Sequence, residues 1–319
     1  VAGTIYCQLR TGAVEDAAAQ LELFRMVQET IGRSAELAFL DALLAWRQSR
    51  DVDAHLRALD EARSLHRAAV LGVQDDPDST VFSVIRVLNP EFCMEMAREY
   101  LVHAEANSVT ESGSGGADSG AGDAVTAAVH LLRSVTRTVP GLMEAHTLLA
   151  RTQFAGGDAD DAARTLVAAL ALDNSHAPAH MLMASVSLAR GDPRAAAASL
   201  REALANDFSV QKTSATYHLI EGRVAAAQGK PGEAIAALTR ALDMPGVRVL
   251  TSKTGGSAAG GEEDGPVGLG GGKVSLHDRA NIFVQLATLL AQEGKTDQAT
   301  AIAADASAEF AGTPEEVQI

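Results

Sequence analysis

The sequence predicts an all-α protein, an α-solenoid in which helical hairpins stack side by side. Three observations predict it. Hydrophobic residues make up 47% of the 319 residues but aromatic residues only 4%, so alanine and the aliphatic side chains carry the apolar content. Alanine is the best helix former and lets helix axes approach closely, whereas the β-branched and aromatic clusters that strands favour are scarce. Small residues and glycines also return at fixed intervals along the chain.

The recurrence can be read residue by residue. Leu148-Leu149-Ala150, Gly157-Asp158, Ala162 and Ala169-Leu170 reappear 34 residues later as Leu182-Met183-Ala184, Gly191-Asp192, Ala196 and Ala203-Leu204. That spacing is the period of the tetratricopeptide repeat. The marks return as Gly222, Gly229, Ala234 and Ala241-Leu242 after a four-residue insertion. They return again as Ala287, Gly294, Ala299 and Ala306 after a longer one. Each mark has a physical task. The first small residue sits where the two helices of a hairpin cross. The glycine makes the tight turn, where a positive φ is needed. The next alanine is a second close-contact point, and the last faces the first helix of the following hairpin. A larger side chain at these points would force the backbones apart, at about 1–3 kcal/mol.

The earlier hairpins are more degenerate. The segment from Ile5 to Ile31 has its turn at Gly12 and an alanine-rich second helix. The next gives helices over 37–48 and 54–67, and the single tryptophan, Trp46, is expected to pack between hairpins. The polar stretch Gln74-Asp75-Asp76-Pro77-Asp78 reads as a linker or a helix start. A helix then runs from Glu91 to Leu101, is interrupted, and resumes over 123–138, while Pro140 and Pro178 mark helix boundaries. The count is about seven hairpins in one superhelix over 1–319. Two glycine-rich inserts, 104–122 with Ser112-Gly113-Ser114-Gly115-Gly116 and 251–273 with Gly270-Gly271-Gly272, are expected to be mobile loops, because such stretches cannot offset their ordering entropy by burial. A single hairpin cannot bury its apolar face, so stability comes from stacking on neighbours.

Tests for chemistry are negative. The run Gly268-Leu269-Gly270-Gly271-Gly272-Lys273 fails as a phosphate loop, since Val267 stands where the first glycine belongs and Val274 where the hydroxyl belongs. His146, His180 and His218 share one repeat position. Equivalent residues of adjacent hairpins lie roughly 10 Å apart, too far to share a zinc ion. His176 and His180 lack a third ligand, so these histidines read as half-buried packing residues. The carboxylates read as scattered over solvated faces, with none in the apolar setting that tunes a general acid. No catalytic residue, metal or cofactor is expected. A clamp for a C-terminal carboxylate would use Thr147 and Arg151, Met181 and Ser185, and Thr216 and Ile220, of which only Arg151 suits.

Twenty-six basic residues stand against 41 acidic ones, a net charge of −15, which argues against nucleic acid. Cys7 and Cys93 form neither a disulfide framework nor a zinc spacing and read as buried free thiols. No apolar run reaches the ~18 residues a membrane span needs. The start at Val1 and the helix-like ending Glu315-Glu316-Val317-Gln318-Ile319 suggest a piece of a longer array.

Several stretches outside the repeat marks carry a family likeness. These are Asn89-Pro90-Glu91-Phe92-Cys93-Met94-Glu95-Met96-Ala97-Arg98-Glu99-Tyr100-Leu101, Val135-Thr136-Arg137-Thr138-Val139-Pro140-Gly141-Leu142, Tyr217-His218-Leu219-Ile220, Met244-Pro245-Gly246, and Glu309-Phe310-Ala311-Gly312-Thr313-Pro314-Glu315-Glu316-Val317. In this order, and over about residues 35 to 319, the chain resembles the large all-tetratricopeptide subunit of intraflagellar transport complex A. The resemblance implies a non-catalytic scaffold of retrograde ciliary transport. It would be cytoplasmic and ciliary, bound to other complex A subunits and to adaptors of ciliary membrane-protein cargo. Two other readings stand beside it: a peptide-binding, co-chaperone-like adaptor, and the regulatory arm of an enzyme.

Overall fold

A computed structural model describes residues 2–28, 32–108, 119–248 and 274–311, and among them every regular element is a helix. The chain forms two compact units, one from the described residues up to 104 and from 119 to 148, the other from 149 to 248 and 274 to 311.

The first unit contains α1 (Ala2–Thr11), α2 (Val14–Gln28), α3 (Ala35–Ser49), α4 (Val52–Gln74), α5 (Val81–Leu88), α6 (Pro90–Ser108) and α7 (Ser119–Thr138). Helix starts carry side-chain caps, which satisfy otherwise orphaned backbone donors. Ser34 Oγ accepts from the Leu37 N–H at 3.2 Å, and Asp51 Oδ1 from the Ala54 N–H at 3.1 Å. Thr80 and Ser83 close a reciprocal capping box. The hairpins α1–α2 and α3–α4 follow the expected pattern, and Ile5, Leu9, Leu21, Leu59, Met96, Tyr100 and Leu132 are fully buried.

The second unit takes up the chain within α8 (Met143–Ala155) and continues through α9 (Ala159–Leu172), α10 (Ala177–Ala189), α11 (Pro193–Asn206), α12 (Val210–Thr213), α13 (Ala215–Ala227), α14 (Pro231–Leu242), α15 (Leu276–Gln292) and α16 (Thr296–Glu309). The turn glycine has one recurring geometry. Gly157, Gly191, Gly229 and Gly294 all have φ between 74° and 85°. The residue after each donates its N–H five residues back, as Asp192 does to the Ser187 carbonyl at 2.9 Å. This is the Schellman ending, in which a left-handed residue lets the chain turn sharply while satisfying a terminal carbonyl. Gly12, with φ 84° and Ala13 bonded to the Gln8 carbonyl at 2.9 Å, repeats it in the first hairpin.

Several expectations change. Helices α5 and α12 are additional, and the four residues of α12 account for the four-residue insertion before Gly222. The stretch 74–78 is the end of α4 and its exit, not a helix start. The ends of the first insert, 104–108 and 119–122, belong to α6 and α7, because a helix already anchored in the core extends past the point where its apolar pattern fades. The rest of that insert, the second insert at 251–273 with its Gly268–Lys273 run, and residues 315–319 lie outside the described residues. Cys93 is buried, but Cys7 is exposed on the outer side of α1.

Candidate functional site

The small residues singled out by the period lie between helices. Ala150, Ala162, Ala169, Ala184, Ala196, Ala203, Ala234 and Ala241 are wholly buried, and Ala299 and Ala306 nearly so. Ala287 alone is half-buried. Gly222 marks the closest approach: a Cβ there would stand 2.7 Å from Leu238 Cγ and 3.3 Å from the Ala234 carbonyl oxygen. The cores are shared between hairpins. Ala184, Ala196 and Ala203 of α10 and α11 pack with Tyr217, Ile220 and Val224 of α13. Leu219 of α13 and Leu238, Ala241 and Leu242 of α14 pack with Phe283, Leu286 and Phe310 of the last hairpin. Each hairpin thus completes its neighbour's core, and the outer faces are left for partners.

The repeated histidines are structural latches. His146 Nε2 pairs with the Pro140 carbonyl at 2.9 Å, His180 Nε2 with that of Asn174 at 2.8 Å, and His218 Nε2 with that of Gln211 at 2.8 Å. Each ties the first helix of a hairpin to the loop leading into it. His180 and His218 are fully buried rather than half-buried, because this bond pulls the ring against the loop. His218 Nδ1 also meets Glu221 Oε2 at 3.0 Å, and that bond holds the Glu221 carboxyl below the usual carboxylate range.

The expected clamp register also shifts. With α12 inserted, the residues on α13 equivalent to Met181 and Ser185 are Leu219 and Arg223, fixed by the match of Gly222 to Ala184, and not Thr216 and Ile220. Thr147 and Leu219 are buried, so that half of the clamp is core. Position by position, the other half reads Arg151, Ser185, Arg223 and Thr288.

A buried charged cluster in the first unit escaped the sequence reading, which placed every carboxylate on a solvated face. Arg10 of α1 reaches Glu99 Oε1 at 2.6 Å and Glu95 Oε2 at 3.2 Å on α6, and its Nε donates to the Tyr6 hydroxyl at 2.9 Å. Tyr6 donates in turn to Glu95. His55 of α4 lies on the other side of Glu99, its Nε2 3.8 Å from Glu99 Oε2 and its Nδ1 2.9 Å from the Ala42 carbonyl. Burial alone would raise the Glu99 carboxyl, but His55 and Arg10 outweigh it and hold it below its usual range. His103, buried beside His55 with ring centroids 5.0 Å apart, is pushed down to about 4 by burial and by His55. The Trp46 ring covers the cluster, 5.3 Å from His55 and 4.9 Å from His103, so it packs between its own hairpin and α6. The apolar rings around Glu99 come from helices distant in sequence, which no local pattern could signal. A second buried pair, Arg279 with Glu309, is backed by an Arg279 Nε bond to the Val247 carbonyl at 2.9 Å.

The chemistry of these groups is that of packing. Cys93 donates to the Leu88 carbonyl at 3.1 Å, and burial pushes its thiol up to about 12, so it holds almost no thiolate. Among the described residues, no three His, Cys, Asp or Glu side chains are grouped so as to hold a metal ion, and no helix is long and apolar enough to cross a membrane.

Similarity to known proteins follows the same lines. Two family models match: the tetratricopeptide repeat protein 21 second ARM domain over residues 1–191, and the tetratricopeptide repeat protein 21 ARM repeat over residues 208–319. The chain is 29% identical to tetratricopeptide repeat protein 21B of Homo sapiens over 99% of its length, and 30% identical to that of Mus musculus over all of it. In each case it spans only 22% of the relative. Among solved structures it is similar to a thermophilic tetratricopeptide repeat protein of Thermus thermophilus, with 21% identity, a TM-score of 0.46, and coverage of 61% of this chain and 89% of that one. Two models that together span most of the chain, and relatives aligned along its whole length, place it in the tetratricopeptide repeat protein 21 family, the family its sequence resembles.

Proposed function

We propose that this chain is a non-catalytic scaffold segment of intraflagellar transport complex A, serving retrograde transport in the cilium or flagellum. Its partners are other subunits of that complex and adaptors of ciliary membrane-protein cargo. It works at the cilium, the basal body and in the cytoplasm, without nucleic acid and without entering the bilayer. The family membership carries this reading. The shared cores of the second unit support it physically, because hairpins that complete one another form a stiff spacer whose outer faces are free for partners. The net charge of −15 disfavours nucleic acid as the partner. The test is affinity capture of the tagged chain from ciliated cells followed by mass spectrometry. Recovery of complex A subunits is expected; their absence, with the chain present and folded, overturns the reading.

A further inference from the structure

Helix α4 runs for 23 residues, whereas α2, α9, α11, α14 and α16, which hold the same place in their hairpins, run for 12 to 15. Its partner α3 has 15 residues, so about two turns of α4 continue beyond it. Helix α5 folds back along them: the turn 75–80 joins the two helices, and the Leu88 carbonyl at the far end of α5 pairs with His66 Nε2 at 2.9 Å. Helix α5 reads Val81-Phe82-Ser83-Val84-Ile85-Arg86-Val87-Leu88, six apolar residues in eight, yet only Leu88 is buried. Val81 and Phe82 are 75% and 76% exposed, more than any other large apolar side chain among the described residues, and Leu71 at the end of α4 is 44% exposed. A helix this short is marginal in water, and the Thr80–Ser83 capping box fixes it at the end where Val81 and Phe82 stand. Its apolar start is therefore held in place and presented to solvent, which lets a partner bind with little ordering cost.

The flank of this apolar end carries one sign of charge. Asp75, Asp76 and Asp78 are all exposed, and among the described residues none of them pairs with a cation. Asp76 Oδ1 accepts the Asp78 N–H at 3.0 Å, a turn contact that leaves the charges unmatched. The two arginines of the region, Arg67 and Arg86, stand toward the other end, near His66 and Leu88. We propose that this α4–α5 tab is a docking surface for an amphipathic helix of another protein, its apolar side chains on Val81, Phe82 and Leu71 and a cluster of lysine or arginine against Asp75, Asp76 and Asp78. Charge complementarity selects this occupant over an acidic segment, and over a membrane, whose anionic surface the three carboxylates would repel. A helix fits better than an extended chain, because an apolar helix face accepts a second helix by ridges into grooves and offers no free backbone edge to a strand. The tab is additional to the repeat, so it stands apart from the stacking that supports the scaffold reading.

The test is fluorescence anisotropy on the whole chain with a labelled helical peptide of about 18 residues, leucine along one face and lysine at one end, and with its counterpart bearing glutamate in place of lysine. The lysine peptide is expected to bind at least tenfold more tightly. Net charge alone would give that sign, so the variants decide. F82S and D75N/D76N/D78N should each lose at least tenfold, whereas E202Q/D243N/E293Q, which removes three exposed carboxylates of the second unit, should match the unmodified chain. All the replaced side chains are exposed, and circular dichroism melts check that each variant folds. Absence of binding by the lysine peptide, unchanged affinity in F82S, or equal losses in the two triple variants overturns the proposal. So does sedimentation velocity showing a dimer of the chain that F82S abolishes, since a second copy would then cover this face. Capture of complex A subunits is read separately, so either idea can fail alone.

Discussion

Glu99 is the residue on which the first unit's polar interior turns, because it is closed off from water between the Arg10 guanidinium on one side and the His55 ring on the other. Removing one member of a buried ion pair leaves the other charged and desolvated, at a cost of about 3–5 kcal/mol. Glu99→Gln is therefore expected to lower the stability of the chain by about 3 kcal/mol in urea denaturation, and Arg10→Met by at least as much, since it leaves the Glu99 carboxylate buried without its cation whereas Arg10 keeps Glu95 when Glu99 is replaced. His103 makes the same region sensitive to acid. Its folded-state value lies near 4, below the 6.5 of an unperturbed histidine, so the unfolded chain takes up the proton first as pH falls. Stability is therefore present above about pH 6.5 and is lost progressively down to about pH 4, by on the order of 3 kcal/mol. Glu99 acts in the same direction further down, since a depressed carboxyl loses its contribution as pH falls through its folded-state value. Urea midpoints between pH 7 and pH 4 check this, and His103→Gln should flatten the upper part of the curve. The two thiols differ as their surroundings do. A maleimide reagent on the native chain is expected to label Cys7 and spare Cys93, and labelling of both without denaturant would contradict the burial of Cys93.

At the scale of the elements, the α13–α14 crossing at Gly222 sets the tightest tolerance. Alanine is a better helix former than glycine by about 1 kcal/mol, and alanine fills the equivalent positions 150 and 184. At 222 the added methyl would meet Leu238 and the backbone of α14, which cannot move without opening the core they share with the last hairpin. Overpacking is expected to win, so Gly222→Ala lowers stability by a net ~1–2 kcal/mol, seen as a lower thermal midpoint, whereas Ala184→Gly destabilises through helix propensity and a lost methyl contact. The hairpin turns make a second element-level test. Gly191 sits at φ 77°, and forcing an alanine into that region costs about 1–2 kcal/mol. Gly191→Asn should cost less, because asparagine tolerates the left-handed conformation better than alanine does.

At the scale of the whole molecule, stability is distributed along the stack rather than held in one centre. The residues Tyr217, Ile220 and Val224 close the core of the hairpin before them, and Phe283 and Phe310 close that of the hairpin after. A peptide of α10 and α11 alone therefore exposes Ala184, Ala196 and Ala203 and is expected to be largely unfolded by circular dichroism. A piece spanning α8 to α14 restores two shared cores and is expected to be helical with a cooperative melt. A single hairpin as stable as the longer piece would show that stacking is not the source of stability.

The sequence by itself determined the fold class, the hairpin period, the turn glycines and the crossing alanines, because all of these depend on residues within about one repeat of each other. Residues such as Ala150, Gly157 and Ala162 mark structure locally, so spacing alone exposes them. Tertiary structure decided what depends on residues brought together from afar. Glu99 looks like any surface carboxylate until Arg10, His55 and Trp46 close over it from three other helices. Arg223 took its place in the clamp register only when α12 absorbed the four-residue insertion. Helices α5 and α12 were not legible because both are short: α5 is an eight-residue apolar run of a kind that reads equally as a buried strand, and α12 is a single turn of four residues. Burial, pairing and register across helices are properties of the packed chain, and a linear pattern carries them only when the partners are neighbours in sequence.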